Sequence, residues 1–427
     1  MNAILDGVRV LDLSRVLAGP WVGQMLADLG ADVVKVERPG TGDEARTHGA
    51  LPEPRPGMNT VDRSGFGAVN RGKRSIEVDI ATVVGQDVVR QLALQADVLI
   101  ENFKTGDLAR YGLGYDDLAK LNPRLVYCSI TGFGQTGPYR HLPGYDLIFQ
   151  AMSGLMSTTG HPDDQPGGGP QRVGYPISDV TAGLFAAIGV LSALYHRDAR
   201  GGLGQQIDLA LLDAQIAAMS VIPTNFLMTG SLPPRMGIAS LMSCPYQAFD
   251  CADGQIVICA NNDKQFAALC HALQLVGVAE DPRFATNALR VKHRDSLEPL
   301  LAGALARLSV ETCRQTLLSA HVPCGPIHDF RQVFQDEHVV HRGVQQEVSH
   351  PTKGLTPILA NPLKFSSTPV TYRKGPPQLG EHNAEVLGDW VGIDDRQLQG
   401  LREAGALGSS DLERAGLAAN AIPQSGV

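Results

Sequence analysis

The sequence predicts an α/β protein, with a parallel β-sheet covered by helices and a second, smaller α+β domain. Three observations carry that prediction. Short β-branched runs alternate with helical stretches through the first 130 residues, the βαβ pattern that specifies a parallel sheet. The 427 residues exceed the length over which one hydrophobic core keeps growing, so two substructures are expected. Composition shifts near Leu232-Pro233-Pro234, and a second loop-like stretch surrounds His350-Pro351-Thr352-Lys353-Gly354. These breaks divide the chain into a large domain over residues 1–224, a small domain over 225–340, and a C-terminal segment over 341–427.

The elements of the large domain follow in order. A strand from Val8 to Leu13 leads into a loop ending in Gly19-Pro20, where Pro20 suits a first helical position. The helix runs to Leu29, and Gly30 suits its C′ position. A strand from Asp32 to Glu37 comes next, with further strands over Ser75 to Val78, Asp97 to Ile100 and Arg124 to Ile130, and a crossover helix from Thr82 to Ala96. The result is a Rossmann-like core. It lacks Gly-x-Gly-x-x-Gly after its first strand, which removes the main support for a dinucleotide-binding oxidoreductase. From Ser178 to Arg197, apolar residues recur at Leu184, Ala187, Ile188, Leu191, Leu194 and Tyr195, a helical stripe expected to pack on the core, preceded by the capping-type residues Ser178 and Asp179. The last twenty residues are rich in Ala, Gly and Ser and are expected to fray.

Composition narrows the function. Hydrophobic residues are 43% and charged residues 19%, ordinary for a globular protein, and no apolar run approaches the roughly 20 residues of a membrane helix, so no membrane association is expected. A net charge of −8 argues against a nucleic-acid partner, whose footprint is a basic surface. Seven scattered cysteines form no Cys-x-x-Cys pair and show no metal-ligand spacing to His, so free thiols and no metal are expected. The chain reaches a strand within its first ten residues, leaving no room for a secretory signal, and a cytoplasmic location is expected.

Several segments together resemble the class III coenzyme A transferase family, from about residue 5 to about 390. They are Val16-Leu17-Ala18-Gly19-Pro20, Gly30 through Gly40, Gly72-Lys73-Arg74-Ser75-Ile76, Glu101-Asn102-Phe103, Gly144-Tyr145-Asp146, Ser178-Asp179 and Pro377-Gln378-Leu379-Gly380-Glu381-His382. The resemblance implies a C-terminal segment that returns to the large domain and a homodimer of two interlocked chains. It implies acyl-CoA and a carboxylic acid as substrates, and no tightly bound cofactor. It also implies that Asp179 is the catalytic carboxylate, which captures an acyl group as an anhydride and then carries the thiol. A helix start beside it offers unpaired N–H groups, and Gly183 is expected to permit close approach there. Read from the residues alone, Asp179 suits a plain N-cap better than a nucleophile, and only the family resemblance reverses that.

Coenzyme A carries a pyrophosphate and a 3′-phosphate, so its site needs basic side chains and close-approach backbone. The family-matched candidates are Arg38, Asn70, Arg71, Gly72, Lys73 and Arg110. Leu17, Ala18, Asn102, Phe103, Lys104, Pro143, Gly144, Tyr145 and Asp146 are further family-matched contacts. Likeness is greatest to the succinyl-CoA:glutarate branch, through Tyr127 to Gly132, Pro245 to Phe249 and Asn261-Asn262. A dicarboxylate acceptor needs a cation for its distal carboxylate, and Arg46 is the candidate reader, with a surface ion pair to Asp43 or Glu44 as the alternative. The family also holds α-methylacyl-CoA racemases, which place a histidine where Tyr145 stands; a tyrosine is a poor proton carrier near neutrality, which favours transfer and suits a packed aromatic. A CoA-binding protein without catalysis is a further alternative.

Overall fold

The computed structural model describes residues 3–50, 63–350 and 354–408. Six short strands form one sheet: β1 (Arg9–Asp12), β2 (Asp32–Glu37), β3 (Arg74–Glu77), β4 (Val98–Glu101), β5 (Val126–Thr131) and β6 (Gln206–Ala210). Their order is β3-β2-β1-β4-β5-β6 and every pairing is parallel, the doubly wound order with a topological switch between β1 and β4. The central strands read as nearly continuous apolar runs because both sheet faces are buried. Alternation then splits them between two cores. Leu11, Val34, Ile76, Leu99 and Tyr127 face one side with Val88, Val89 and Leu92; Val10, Val33, Val98, Val126 and Cys128 face the other with Val22, Leu26, Ala186 and Val190.

The helices of this unit begin with α1 (Ala18–Asp28), α2 (Ser64–Val69), α3 (Val83–Gln95), α4 (Tyr115–Leu121) and α5 (Asp146–Met152). After the short α6 (Leu155–Thr158), which groups with the smaller unit, come α7 (Ile177–His196) and α8 (Leu211–Met219). Thr82 caps α3 by accepting the Gly85 N–H at 3.0 Å. The first helix starts two residues before Pro20, so Pro20 is its third residue rather than its first.

The long α7 corrects two expectations. Its buried face is small: Ala182, Gly183, Ala186, Ala187, Val190 and Ala193 pack inward, whereas Leu184, Ile188 and Tyr195 of the expected stripe are 48%, 60% and 66% exposed. Small residues let α7 lie close on α1; a Cβ on Gly183 would stand 2.8 Å from Trp21 Cδ1 and 3.1 Å from the Ala18 carbonyl oxygen. Gly183 therefore serves helix packing. Ser178 and Asp179 lie within the first turn rather than before it, with Pro176 at the N-cap. By length and composition α7 and the turn after it also reach what a membrane crossing requires, contrary to the expectation that no segment comes near; here α7 is a core helix against β5, β6 and α1.

The chain divides into two compact units: Met1–Ser153 with Tyr175–Ala218 and Arg342–Val427, and Gly154–Gly174 with Met219–His341. The excursion Gly154–Gly174, read from sequence as part of the large domain, groups with the small unit. That unit is built on an antiparallel sheet of β7 (Tyr246–Cys251), β8 (Gly254–Cys259) and β9 (Cys324–Pro326), with Phe249, Ile256, Ile258, Phe266, Leu297, Leu301 and Leu317 at its core. In the large unit the segment from Gly380 to Asn383 docks on the edge strand β3. The His382 N–H donates to the Ser75 carbonyl at 2.9 Å, the Gly380 N–H to Ser75 Oγ at 3.0 Å, and the Glu77 N–H to Asn383 Oδ1 at 2.8 Å. This covers an otherwise open sheet edge. The expected frayed tail, from residue 409 onward, lies outside the described residues.

Candidate active site

A cleft of about 280 Å³ opens at the C-terminal ends of the strands, where ligands of open α/β sheets bind. Its lining joins Leu17 and Ala18 at the start of α1, Asn102, Phe103 and Lys104 after β4, Pro143, Gly144 and Tyr145 before α5, and Asp179 in the first turn of α7. Nine residues singled out in the sequence thus meet in one place although 162 positions separate the first from the last. Tyr145 is 75% exposed rather than packed.

Asp179 is half-buried, and its carboxyl is pushed up to about 7, first by burial and then by the negative charge of Asp146. Asp146 supplies the cap that α7 lacks in its own sequence: its Oδ1 accepts the Ser178 N–H at 2.8 Å, and its Oδ2 accepts Gln150 Nε2 at 2.6 Å. A carboxylate raised toward neutrality is more basic, and so more nucleophilic, than one at its ordinary value. Glu101, buried at the end of β4, is likewise pushed up to about 7 by burial, against hydrogen bonds from Ser129 and the Phe103 N–H.

The other sequence candidates separate into two groups. Arg38 is exposed just beyond β2, and Arg110 is 68% exposed and paired with Asp107 at 2.8 Å. Asn70, Arg71 and Lys73 are buried in internal partnerships, and Gly72 is half-buried. Lys73 is fully buried, donating to Asp12 Oδ2 at 2.8 Å, to Asn70 Oδ1 at 2.8 Å and to the Pro20 carbonyl at 2.9 Å. Asn70 in turn donates to the Phe66 carbonyl at 3.0 Å. Arg71 forms a two-point pair with Asp28 at 2.9 and 2.6 Å. Gly72 takes φ +75° and its N–H donates to the Lys374 carbonyl at 3.0 Å. The Asn70, Arg71 and Lys73 side chains are thus paired inside the unit.

Arg46 requires the same correction. Its guanidinium grips Glu37 at two points, 2.8 and 2.7 Å, reaches the Pro377 carbonyl at 3.3 Å and lies 3.6 Å from the centre of the Phe66 ring. Its pair partner is the buried Glu37, not Asp43 or Glu44. A buried, bidentate arginine is in no position to read a ligand carboxylate in the cleft. Asn102 is also committed: its side chain accepts the Arg15 N–H at 2.8 Å and donates to the Arg15 carbonyl at 2.7 Å.

Sequence reasoning missed Arg15, Arg140 and Thr131, which also line the cleft. Arg15 lies 4.7 Å from the centre of the Phe103 ring and 3.6 Å from Glu44. A signal for Arg15 existed, since it directly precedes the Val16-Leu17-Ala18 segment; a lone Arg140 offered none. Among the described residues no group of His, Cys, Asp and Glu is arranged to hold a metal ion.

Comparison with known proteins bears on this cleft. The model of CoA-transferase family III matches residues 5–383. The succinate–glutarate CoA-transferase of Agrobacterium fabrum is 43% identical over 91% of this chain and 96% of its own length. The succinyl-CoA:glutarate CoA-transferase of Mus musculus is 40% identical over 94% of this chain and 90% of its own. Among solved structures, a CaiB/BaiF family protein from Brucella suis superposes with a TM-score of 0.80 at 41% identity, covering 91% of this chain and all of that one.

Proposed function

Because this chain belongs to CoA-transferase family III, an enzyme family acting on CoA thioesters, we propose that it moves CoA from succinyl-CoA to a dicarboxylate such as glutarate, through a covalent intermediate on Asp179. The observation that carries this reading is the half-buried Asp179 carboxyl, raised to about 7 at the wall of the cleft. Its carboxylate attacks the thioester carbonyl, the C–S bond breaks, and a mixed anhydride and CoA thiolate result. The thiolate attacks the aspartyl carbonyl and expels the donor acid, leaving an aspartyl-CoA thioester. The acceptor carboxylate attacks that carbonyl and releases thiolate again, which then takes the acceptor acyl group and frees Asp179. Each step exchanges one acyl bond for another, with no net proton or electron change and no need of a tightly bound cofactor.

The surroundings suit these steps. The first turns of α1 and α7 both border the cleft, and N–H groups there can stabilise the oxyanion of each addition. Lys104 at the cleft and the exposed Arg38 and Arg110 are the candidates for the CoA phosphates. The names of the relatives support transfer over racemisation, as does the tyrosine at position 145. We further place the enzyme in the cytoplasm, in keeping with seven cysteines free of disulfides.

A homodimer belongs to the same reading. A second, apolar groove of about 980 Å³ on the large unit is lined by Trp21, Met25, Leu184, Ile188, Leu355 and Leu359, and Leu184, Ile188, Leu355 and Leu359 are exposed. A patch of that size asks for a cover, and a second copy of the chain supplies one.

The test is an acceptor screen with succinyl-CoA against glutarate, itaconate, mesaconate, malate, oxalate and acetate, read as new acyl-CoA by chromatography. Transfer to one or more five-carbon dicarboxylates, well above acetate, is the expected result. Turnover with acetate alone would overturn the dicarboxylate assignment, and no new thioester with any acid would leave a CoA-binding protein as the better reading.

A further inference from the structure

The loop that brings Leu17 and Ala18 to the cleft is held in a conformation its own sequence disfavours. Val16 has φ +68°, a left-handed geometry that a β-branched side chain adopts only under external constraint. The constraint is visible. The Val16 N–H donates to Asp43, at 3.0 Å to Oδ1 and 3.3 Å to Oδ2. Asp43 is 2% exposed and is fixed by the Ala45 N–H at 2.9 Å and by Lys35 Nζ at 2.8 Å. Lys35, fully buried, donates also to the Ser14 carbonyl at 2.7 Å, and Asp12 accepts the Ser14 N–H at 3.0 Å. With Asn102 holding both backbone groups of Arg15, residues 14–16 are clamped from three sides, and α1 starts two residues later with no side-chain cap of its own.

We infer that Asp43, backed by Lys35, is a positioning residue for the transfer reaction: it holds Val16 in the left-handed conformation and so aims the first turn of α1 at the cleft that contains Asp179. The inference rests on the transferase reading above. Asp43 does not line the cleft; it acts through the Val16 amide. A glycine at position 16 takes φ +68° without steric cost, so it should need the clamp less.

A double-mutant cycle tests this on the full chain, with kcat for transfer from succinyl-CoA as readout and thermal melting as the check on folding. Asp43→Asn is expected to lower kcat at least tenfold. Val16→Gly alone sets the reference kcat for its own background, in which Asp43→Asn should cost less than about threefold. A support role for the fold in general would give the same factor in both backgrounds, and that result would overturn the inference, as would full kcat in Asp43→Asn. Should Asp43→Asn not fold, Lys35→Met/Asp43→Asn removes both buried charges together and enters the same cycle. Wild-type transfer is measured first; its absence would count against the transferase reading itself, and with it this inference.

Discussion

Two sets of basic residues in the large unit have opposite fates. Lys104 and Arg15 border an open cleft, whereas Lys73, Arg71 and Arg46 are buried within 2.6–2.9 Å of Asp12, Asp28 and Glu37. Lys104, Arg15, Lys73 and Arg71 all stand in or beside segments that match one family, so a motif alone does not say whether a cation meets a ligand or a neighbour. What separates them is the partner. A buried cation keeps its charge only beside a carboxylate, and here each of the three has one. Burial works against the ionisation of Asp12, yet Lys73 and Lys35 outweigh it and hold that carboxyl below its usual range.

The sharpest way to break this comparison is to remove one cation from each set. Lys73→Met strands Asp12 in the interior and should lower the unfolding free energy by about 3–5 kcal/mol in urea titration. Lys104→Met should leave stability within about 0.5 kcal/mol and instead raise KM for acyl-CoA roughly tenfold. If Lys73→Met proved as stable as the wild type with only KM altered, the division drawn here would be wrong.

A smaller effect concerns the nucleophile. Asp179 takes a proton more readily in the folded chain than in the unfolded one, where its value is near 3.8. The stability this contributes is therefore present below about pH 4 and is lost as pH rises to about 7. Asp179→Asn cannot ionise and escapes that loss. Its advantage over the wild type should be near zero at pH 4 and reach about 2–4 kcal/mol at pH 8, measured by denaturant titration at each pH. An advantage independent of pH would contradict the raised carboxyl. Comparison with the variant also cancels Glu101, which titrates in the same window.

Much of this was legible in the sequence. The strand from Asp32 to Glu37 and the Thr82-led helix have the bounds their patterns suggest, because a doubly buried strand and a capped amphipathic helix announce themselves locally. β6 went unread because Gln-Ile-Asp-Leu-Ala is a short, half-exposed edge strand. The apolar stripe of α7 held only in part, with Ala187 and Leu194 buried but Leu184, Ile188 and Tyr195 exposed, because hydrophobicity scales rank leucine above alanine, while close packing on α1 needs the smaller side chain. Arg46 was misplaced for a related reason. Its spacing to Asp43 and Glu44 is local, but its partner Glu37 and its contact at Pro377 come from the fold.

The most direct test of the central claim is mass spectrometry of the protein after brief incubation with succinyl-CoA and proteolysis. A CoA adduct on the peptide carrying Asp179, absent from Asp179→Ala, is the predicted result. Transfer that continues in Asp179→Ala, or an adduct that maps to another residue, would contradict it.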